Sequence, residues 1–434
     1  RAVSLSLCSL SKYPWKTTSN DEQPAFAQQT GRSRPVIPEF LKSNPRLALY
    51  AFFAVAASGF GQTFFVSVMG GAFREAFGLS HTAYGSLYSA GTLVSAGLLL
   101  RFGGLADDWS LPRVTALALG ILAGGCLLIS TAPGFLFLGL GFVCIRFGGQ
   151  GLMAHLGVTT AARYFSRHRG KAVALAGFGF PLAEACLPAG AVFIMEGMGW
   201  RWAWLAGLAV LLLGVFPLLA FLSRKTPAPQ HDARMTGTES TASFTRSQVL
   251  RDPGFYLILP ATLSTPFVMT ALFFHQVAIA ELQGWSLQLL AKAFSGYALG
   301  HLMALFLAGP VVDRLGAGRT LPLALSPLIA GLVLLALAEG PWVALVYLML
   351  LGIDQGFAAT AGGAVWAERY GVVHLGSIRA MTQAIMVVST AIAPVLLGLF
   401  LDLGLGATGL GLSLAAGVLA ASCLAWLALN IRQA

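Results

Sequence analysis

Apolar residues run along this chain in twelve long stretches separated by short polar breaks. They lie near 46–72, 82–102, 114–132, 134–160, 171–195, 202–223, 255–280, 288–310, 320–338, 342–366, 377–401 and 405–430. A helix crosses a bilayer with roughly 20 mostly apolar residues, so the pattern predicts an all-α integral membrane protein with twelve transmembrane helices. Two polar segments interrupt it. Residues 1–43 hold Ser, Thr, Gln and Pro without helical period. They are expected to be a disordered cytoplasmic tail, and they lack the apolar core of a signal peptide. Residues 224–249, RKTPAPQHDARMTGTESTASFTRSQV, are expected to be a flexible cytoplasmic linker. It divides an N-terminal six-helix bundle, 44–223, from a C-terminal one, 250–434.

Composition narrows the class. The chain is 56% hydrophobic and 10% charged, against about 25% charged in soluble domains, which argues against a large soluble enzyme. A net charge of +10 would suit nucleic acid, but its placement points elsewhere. Outside the first 46 residues, sixteen Lys and Arg fall after even-numbered stretches or at the C-terminus. Only Arg74, Arg201 and Lys292 fall on the opposite side. The positive-inside rule then puts both termini in the cytoplasm of a multi-pass cell (inner or plasma) membrane protein. Lipid, rather than nucleic acid, is the expected surrounding partner. The five cysteines have no CxxC spacing and four lie inside stretches, so they read as packing residues, with no disulfide framework, metal site or cofactor. HExxH, GxSxG and P-loop patterns are absent, which disfavours an enzyme.

The chain also repeats itself. A shift of 206 carries Gly78 onto Gly284, Ser80 onto Ser286, Gly103 onto Gly309, Asp107 onto Asp313 and Arg113 onto Arg319. It also carries Arg163-Tyr164 onto Arg369-Tyr370, Pro188 onto Pro394 and Glu196 onto Asp402. A constant register across five stretches makes the two six-helix bundles parallel repeats related by a pseudo-twofold axis along the membrane normal.

Over about residues 44–432 the chain resembles the major facilitator superfamily (MFS). The run GPVVDRLGAGR, 309–319, matches that family's signature of a Gly, an Asp four residues on, a following Arg, a Gly and a later basic residue. RFGGQG, 146–151, is similar to its fourth-helix motif. RYFSRHRGKAVALAGFG, 163–179, resembles the entry to helix five in monocarboxylate and oxalate/formate-type porters. The first-half copy of the signature, GGLADDWSLPR at 103–113, departs at Asp108 and Ser110. The antiporter Gly-Pro pair of helix five is replaced by Pro181 and Glu184, and His301 and Leu305 stand where monocarboxylate porters carry an acid and an Arg. The resemblance implies the MFS fold and a secondary active transporter working by alternating access. It also implies that Gly103, Asp107, Arg113, Gly309, Asp313, Arg314 and Arg319 form conformational hinges. Asp107 and Asp313 would each accept bonds from a helix N-terminus in their own half.

Ionisable residues inside a span cost several kcal/mol and therefore mark function. Arg146, Glu184, His275, His301 and Asp354 qualify, with Gln62, Gln150 and Gln383 adding polarity. Arg146 would anchor an anion through its planar fork, or bond backbone carbonyls or Glu184 and hold helices together. Glu184 or Asp354 would exchange protons. Asp354 would otherwise bond Gln383 or a Ser, and the two histidines would relay protons or simply be hydrogen-bonded. Phe64, Phe65, Phe178, Phe273 and Phe274 are candidate cavity aromatics. Stretches 3, 6, 9 and 12 have no ionisable interior residue and are expected to face lipid. Together these readings favour a monomeric symporter of a small organic, monocarboxylate-like anion with protons. The alternatives are a proton-driven exporter of amphipathic or cationic compounds, and a transporter-like membrane sensor.

Overall fold

The computed structural model describes residues 44–103, 105, 109–165, 169–224, 226, 244–371 and 373–429. The expected tail 1–43, most of the linker, and Asp107 lie outside the described residues. Among the described residues, twelve helices are long and apolar enough to cross a membrane. In order, spans 1 to 6 are Pro45–Ser67, His81–Phe102, Leu111–Ser130, Phe135–Tyr164, Gly170–Met198 and Trp200–Ser223. Spans 7 to 12 are Pro253–Phe274, Leu287–Leu315, Ala317–Leu337, Pro341–Tyr370, Ser377–Asp402 and Ala407–Ala428. An even number of crossings returns the chain to the side where it began, here called the terminal side.

The repeat is visible as matching local geometry. Gly78 and Gly284 take left-handed φ values of 61° and 67°, a conformation that stops a helix and favours glycine. Two residues later Ser80 and Ser286 open spans 2 and 8, each side chain accepting a backbone N–H three residues on, from Ala83 and Leu289. One Gly-x-Ser signal thus ends one helix and starts the next in both halves.

The charged run 309–319 is mostly helix. Span 8 continues through Leu315, Gly316 turns the chain at φ 80°, and Ala317 starts span 9. The end of the segment expected to be a flexible linker is also ordered. Thr245 and Gln248 form a capping box on the short helix Arg246–Val249. The Phe244 N–H donates to the Tyr370 carbonyl and the two rings pack at 5.6 Å.

The halves meet through spans 2 and 11, spans 5 and 8, and spans 1 and 7. Among the described residues, the hydrogen bonds and ring contacts that cross between halves lie at mid-depth or toward the side opposite the termini. The one nearest the terminal side joins Phe178 to Phe306, with ring centroids 4.9 Å apart. On the opposite side the packing is close. A Cβ on Gly85 would lie 2.5 Å from the Pro394 carbonyl oxygen, and one on Gly398 would lie 2.6 Å from that of His81. Of the four spans expected to face lipid, span 6 buries 22% of its apolar window. Spans 3 and 9 each bury 56% of theirs and span 12 buries 39%. Span 3 packs on spans 4 and 6, and span 9 on spans 10 and 12.

Candidate functional site

Span 1 is broken at mid-length. Its first helix ends at Ser58, Gly59–Gly61 makes one tight turn, Gln62 is extended, and the helix resumes over Thr63–Ser67. The break rests on the glycine-rich part of span 4. A Cβ on Gly61 would lie 2.1 Å from the Ile145 carbonyl oxygen, and one on Gly149 would lie 2.8 Å from Gly61 Cα. Irregular backbone at membrane depth needs polar partners from the protein. Arg146 supplies one, its Nη1 donating to the Gly61 carbonyl at 3.3 Å. Arg146 also opens a wide-turned segment of span 4, Arg146–Met153, an irregularity found often at functional sites.

The Arg146 guanidinium is buried and lies 5.1 Å from the Tyr88 ring centroid. The Tyr88 hydroxyl shares a 2.9 Å hydrogen bond with Thr63. Arg146 Nε is buried with no acceptor. Among the described residues no carboxylate lies within ion-pair distance of Arg146, so of the two structural roles considered it takes the bond to a backbone carbonyl and not the pairing with Glu184. Tyr88 reaches the seam between halves, its ring 4.4 Å from that of Phe274 in span 7. Phe274 also stacks on Tyr84 at 4.2 Å, roofing the Arg146 region on the opposite side.

Glu184 is paired across the seam. His301 Nδ1 lies 2.9 Å from Glu184 Oε2 and 3.3 Å from Oε1, and both residues are buried. This joins span 5 to span 8 at mid-depth. His275 caps the end of span 7 beyond the membrane-crossing helix, its Nε2–H donating to the Pro394 carbonyl at 2.8 Å. Burial lowers its pKa from 6.5 to about 4, against the raising influence of that hydrogen bond. Asp354 is fully buried in span 10 beside Thr265 of span 7, and among the described residues neither Gln383 nor a Ser hydrogen-bonds to it. Gln383 and Gln150 are exposed, and Gln62 is half-buried at the break.

The hinge residues fare differently. Asp313, Arg314, Arg319 and Arg113 are exposed, Gly103 closes span 2, and Gly309 lies inside span 8. Among the described residues Asp313 accepts no helix N-terminus. Glu368, at the end of span 10, takes the span 9 N-terminus instead, receiving the N–H groups of Ala317 and Gly318. Of the aromatic candidates, Phe178 and Phe274 lie at the seam. Phe65 packs inside the N-terminal half on Phe60 and Trp204, and Phe273 packs inside the C-terminal half on Phe294 and Tyr297.

Sequence reasoning missed Tyr88, Tyr297, Thr265, Glu368 and Asp402. The hydroxyl residues carried no distinguishing signal, whereas Asp402 was marked by its repeat mate Glu196. Its carboxylate accepts the N–H groups of His81 at 3.0 Å and Thr82 at 2.8 Å, capping span 2 from the other half. A shallow apolar groove on span 9, along Ser326, Ile329, Ala330 and Val333, includes none of these groups.

Comparison with known proteins agrees with this architecture. No curated protein matches the chain. A bacterial homolog of the human lysosomal transporter Spinster, solved inward-facing and unoccupied, superposes with a TM-score of 0.65 at 16% identity, covering 92% of this chain and 98% of that one. The nucleoside transporter NupG gives a TM-score of 0.62 at 15% identity, covering 89% and 98%. The family model described as Major Facilitator Superfamily matches residues 51–294. That match spans more than half of the sequence, and the twelve-span fold extends it through both halves: the chain belongs to the Major Facilitator Superfamily of membrane transporters.

Proposed function

We propose that the chain carries a small, monocarboxylate-like organic anion across the membrane together with protons, by alternating access. The observation that supports this most is Arg146. A guanidinium buried beside the seam, with Nε unpaired and, among the described residues, no carboxylate within ion-pair distance, is a cation awaiting an anion. Its planar donor fork suits a carboxylate, and a desolvated charge gains most from a partner that neutralises it. Gln62 and Gln150 flank it on spans 1 and 4. The Glu184–His301 pair provides a mid-depth contact between halves that would have to part as they rock. With the positive-inside orientation, the side on which no hydrogen bond or ring contact joins the halves among the described residues would be cytoplasmic. A second reading, a proton-driven exporter of amphipathic or cationic compounds, draws on Phe178, Phe306, Tyr88 and Phe274 at the seam.

The test uses proteoliposomes loaded with a pH dye and challenged with a panel of small carboxylates, with empty vesicles correcting for passive permeation. Protein-dependent acidification that disappears in Arg146→Ala supports the proposal. No signal with any carboxylate, but uptake of lipophilic cations under a preset proton gradient, would move the assignment to the exporter.

A further inference from the structure

Tyr88 of span 2 is buried where spans 1, 4 and 7 meet it, and it contacts all three. Its ring faces the Arg146 guanidinium of span 4 at 5.1 Å and the Phe274 ring of span 7, in the other half, at 4.4 Å. Its hydroxyl shares the 2.9 Å bond with Thr63, which restarts span 1 just past the break. Arg146 holds the other edge of that break through the Gly61 carbonyl. Arg146 and Tyr88 thus grip the break from both sides and face each other across it.

The internal repeat sets this arrangement apart from the common scaffold. The shift of 206 carries Gly61, Thr63, Tyr88 and Arg146 onto Phe267, Met269, Phe294 and Gly352. No side chain at those four positions can repeat the polar contacts. Span 7 also runs unbroken from Pro253 to Phe274, where its mate, span 1, is interrupted. The break, the buried cation and the tyrosine occur together in the N-terminal half and are absent from the matching positions of the other.

A bound cargo shifts the balance between two states only as far as it acts differently on them, so occupancy of Arg146 must be felt at the seam. Tyr88 is 1% exposed and is shielded from the cargo itself. Its partners Phe142, Phe274 and Thr63 carry no charge, which leaves Arg146 as the one that answers to an anion. A carboxylate is a stronger partner for a guanidinium than an aromatic face is. An anion on Arg146 therefore takes its support from the Tyr88 ring and frees that ring to turn from Phe274. Phe274 ends span 7, and the next residue, His275, bonds the Pro394 carbonyl oxygen on which Gly85 of span 2 closes. We infer that Tyr88 is a positioning residue that reports the occupancy of Arg146 to the opposite-side seal. It holds the seal while Arg146 is empty and releases it when an anion binds. The inference rests on the anion reading of Arg146 and adds the path by which that anion changes the state.

A double-mutant cycle tests this without cargo. Spin-label distances across the opposite rim give the open fraction of the reconstituted full chain. Arg146→Gln, which keeps a donor for the Gly61 carbonyl, and Tyr88→Leu should each raise that fraction at least about threefold, the scale of one buried cation–π contact. The double variant should open no further than Tyr88→Leu alone. Tyr88→Phe, which keeps the ring, should stay within about twofold of wild type. Tyr84→Leu also strips a ring from Phe274 but leaves Arg146 untouched, so its effect should multiply with that of Arg146→Gln. A mere packing role would make the effect of Tyr88→Leu multiply in the same way, and that result overturns the inference. So does a rim that stays closed in Arg146→Gln. In a second arm, acetate, lactate and benzoate are added to wild type and to Tyr88→Leu. A carboxylate that binds both within about tenfold in Kd should open the wild-type rim and leave that of Tyr88→Leu unchanged, whereas equal responses overturn the inference. If none of the three binds wild type, the anion reading fails, while the cycle still decides whether Tyr88 ties Arg146 to the seal.

Discussion

Glu184 of span 5 and His301 of span 8 meet at 2.9 Å across the seam, in the one side-chain hydrogen bond between halves that lies at mid-depth among the described residues. Hydrogen bonds to charged groups contribute about 1.5–3 kcal/mol. Glu184→Gln should therefore weaken the closed 5–8 contact by roughly tenfold or more in population. Thiol-accessibility or spin-label distances between the terminal-side ends of spans 5 and 8 would read the change. Unaltered distances in Glu184→Gln and in His301→Ala would show that the pair does not bias the state.

Gly85 gives a steric test of the opposite-side closure. Its missing Cβ would sit 2.5 Å from the Pro394 carbonyl oxygen, a backbone atom that cannot swing aside, whereas one on Gly97 of the same span meets nothing within 4 Å. Gly85→Val should prevent spans 2 and 11 from closing and raise labelling of cysteines placed at the opposite rim. Gly97→Val should leave that labelling unchanged. Equal behaviour of the two variants would exclude the glycine contact as the seal.

Asp402 and Glu196 are repeat mates with different fates. Asp402 accepts two N–H groups of span 2 across the seam, while Glu196 is exposed and has no partner among the described residues. A carboxylate at a helix N-terminus contributes about 1 kcal/mol. Asp402→Asn should shift the balance toward opening on that side by about fivefold, and Glu196→Gln should have no measurable effect. Single-molecule distance distributions across the opposite rim would separate the two.

His275 makes the same closure sensitive to acid. Buried in the closed state its pKa is about 4, while a solvated histidine keeps its ordinary value of 6.5. The open form therefore binds the proton first. The closed state keeps its full advantage above pH 6.5 and loses it as pH falls toward 4, by up to about tenfold per unit within that window. Opposite-rim accessibility should rise on acidification of that side, and His275→Gln should flatten the profile. A pH-independent rim in wild type would remove this role.

Crossing a bilayer is a local requirement, so the sequence alone determined the twelve spans: each must supply its own apolar length and satisfy its own backbone. The duplication was equally legible, because Gly78 with Ser80 and Gly284 with Ser286 stop and start helices through nearest-neighbour geometry. The bonding of the buried charges was decided only in three dimensions. Arg146 and Glu184 lie on neighbouring spans of one half, yet helix rotation turns Glu184 toward His301 and leaves Arg146 on the broken backbone of span 1. Glu368, and not Asp313, takes the span 9 N-terminus, because the end of span 10 lies beside the Gly316 turn. Tyr88, Thr265 and Tyr297 were unreadable in advance. A hydroxyl on a helix ordinarily bonds its own backbone, and only the packing of another helix against it reveals the one that does not.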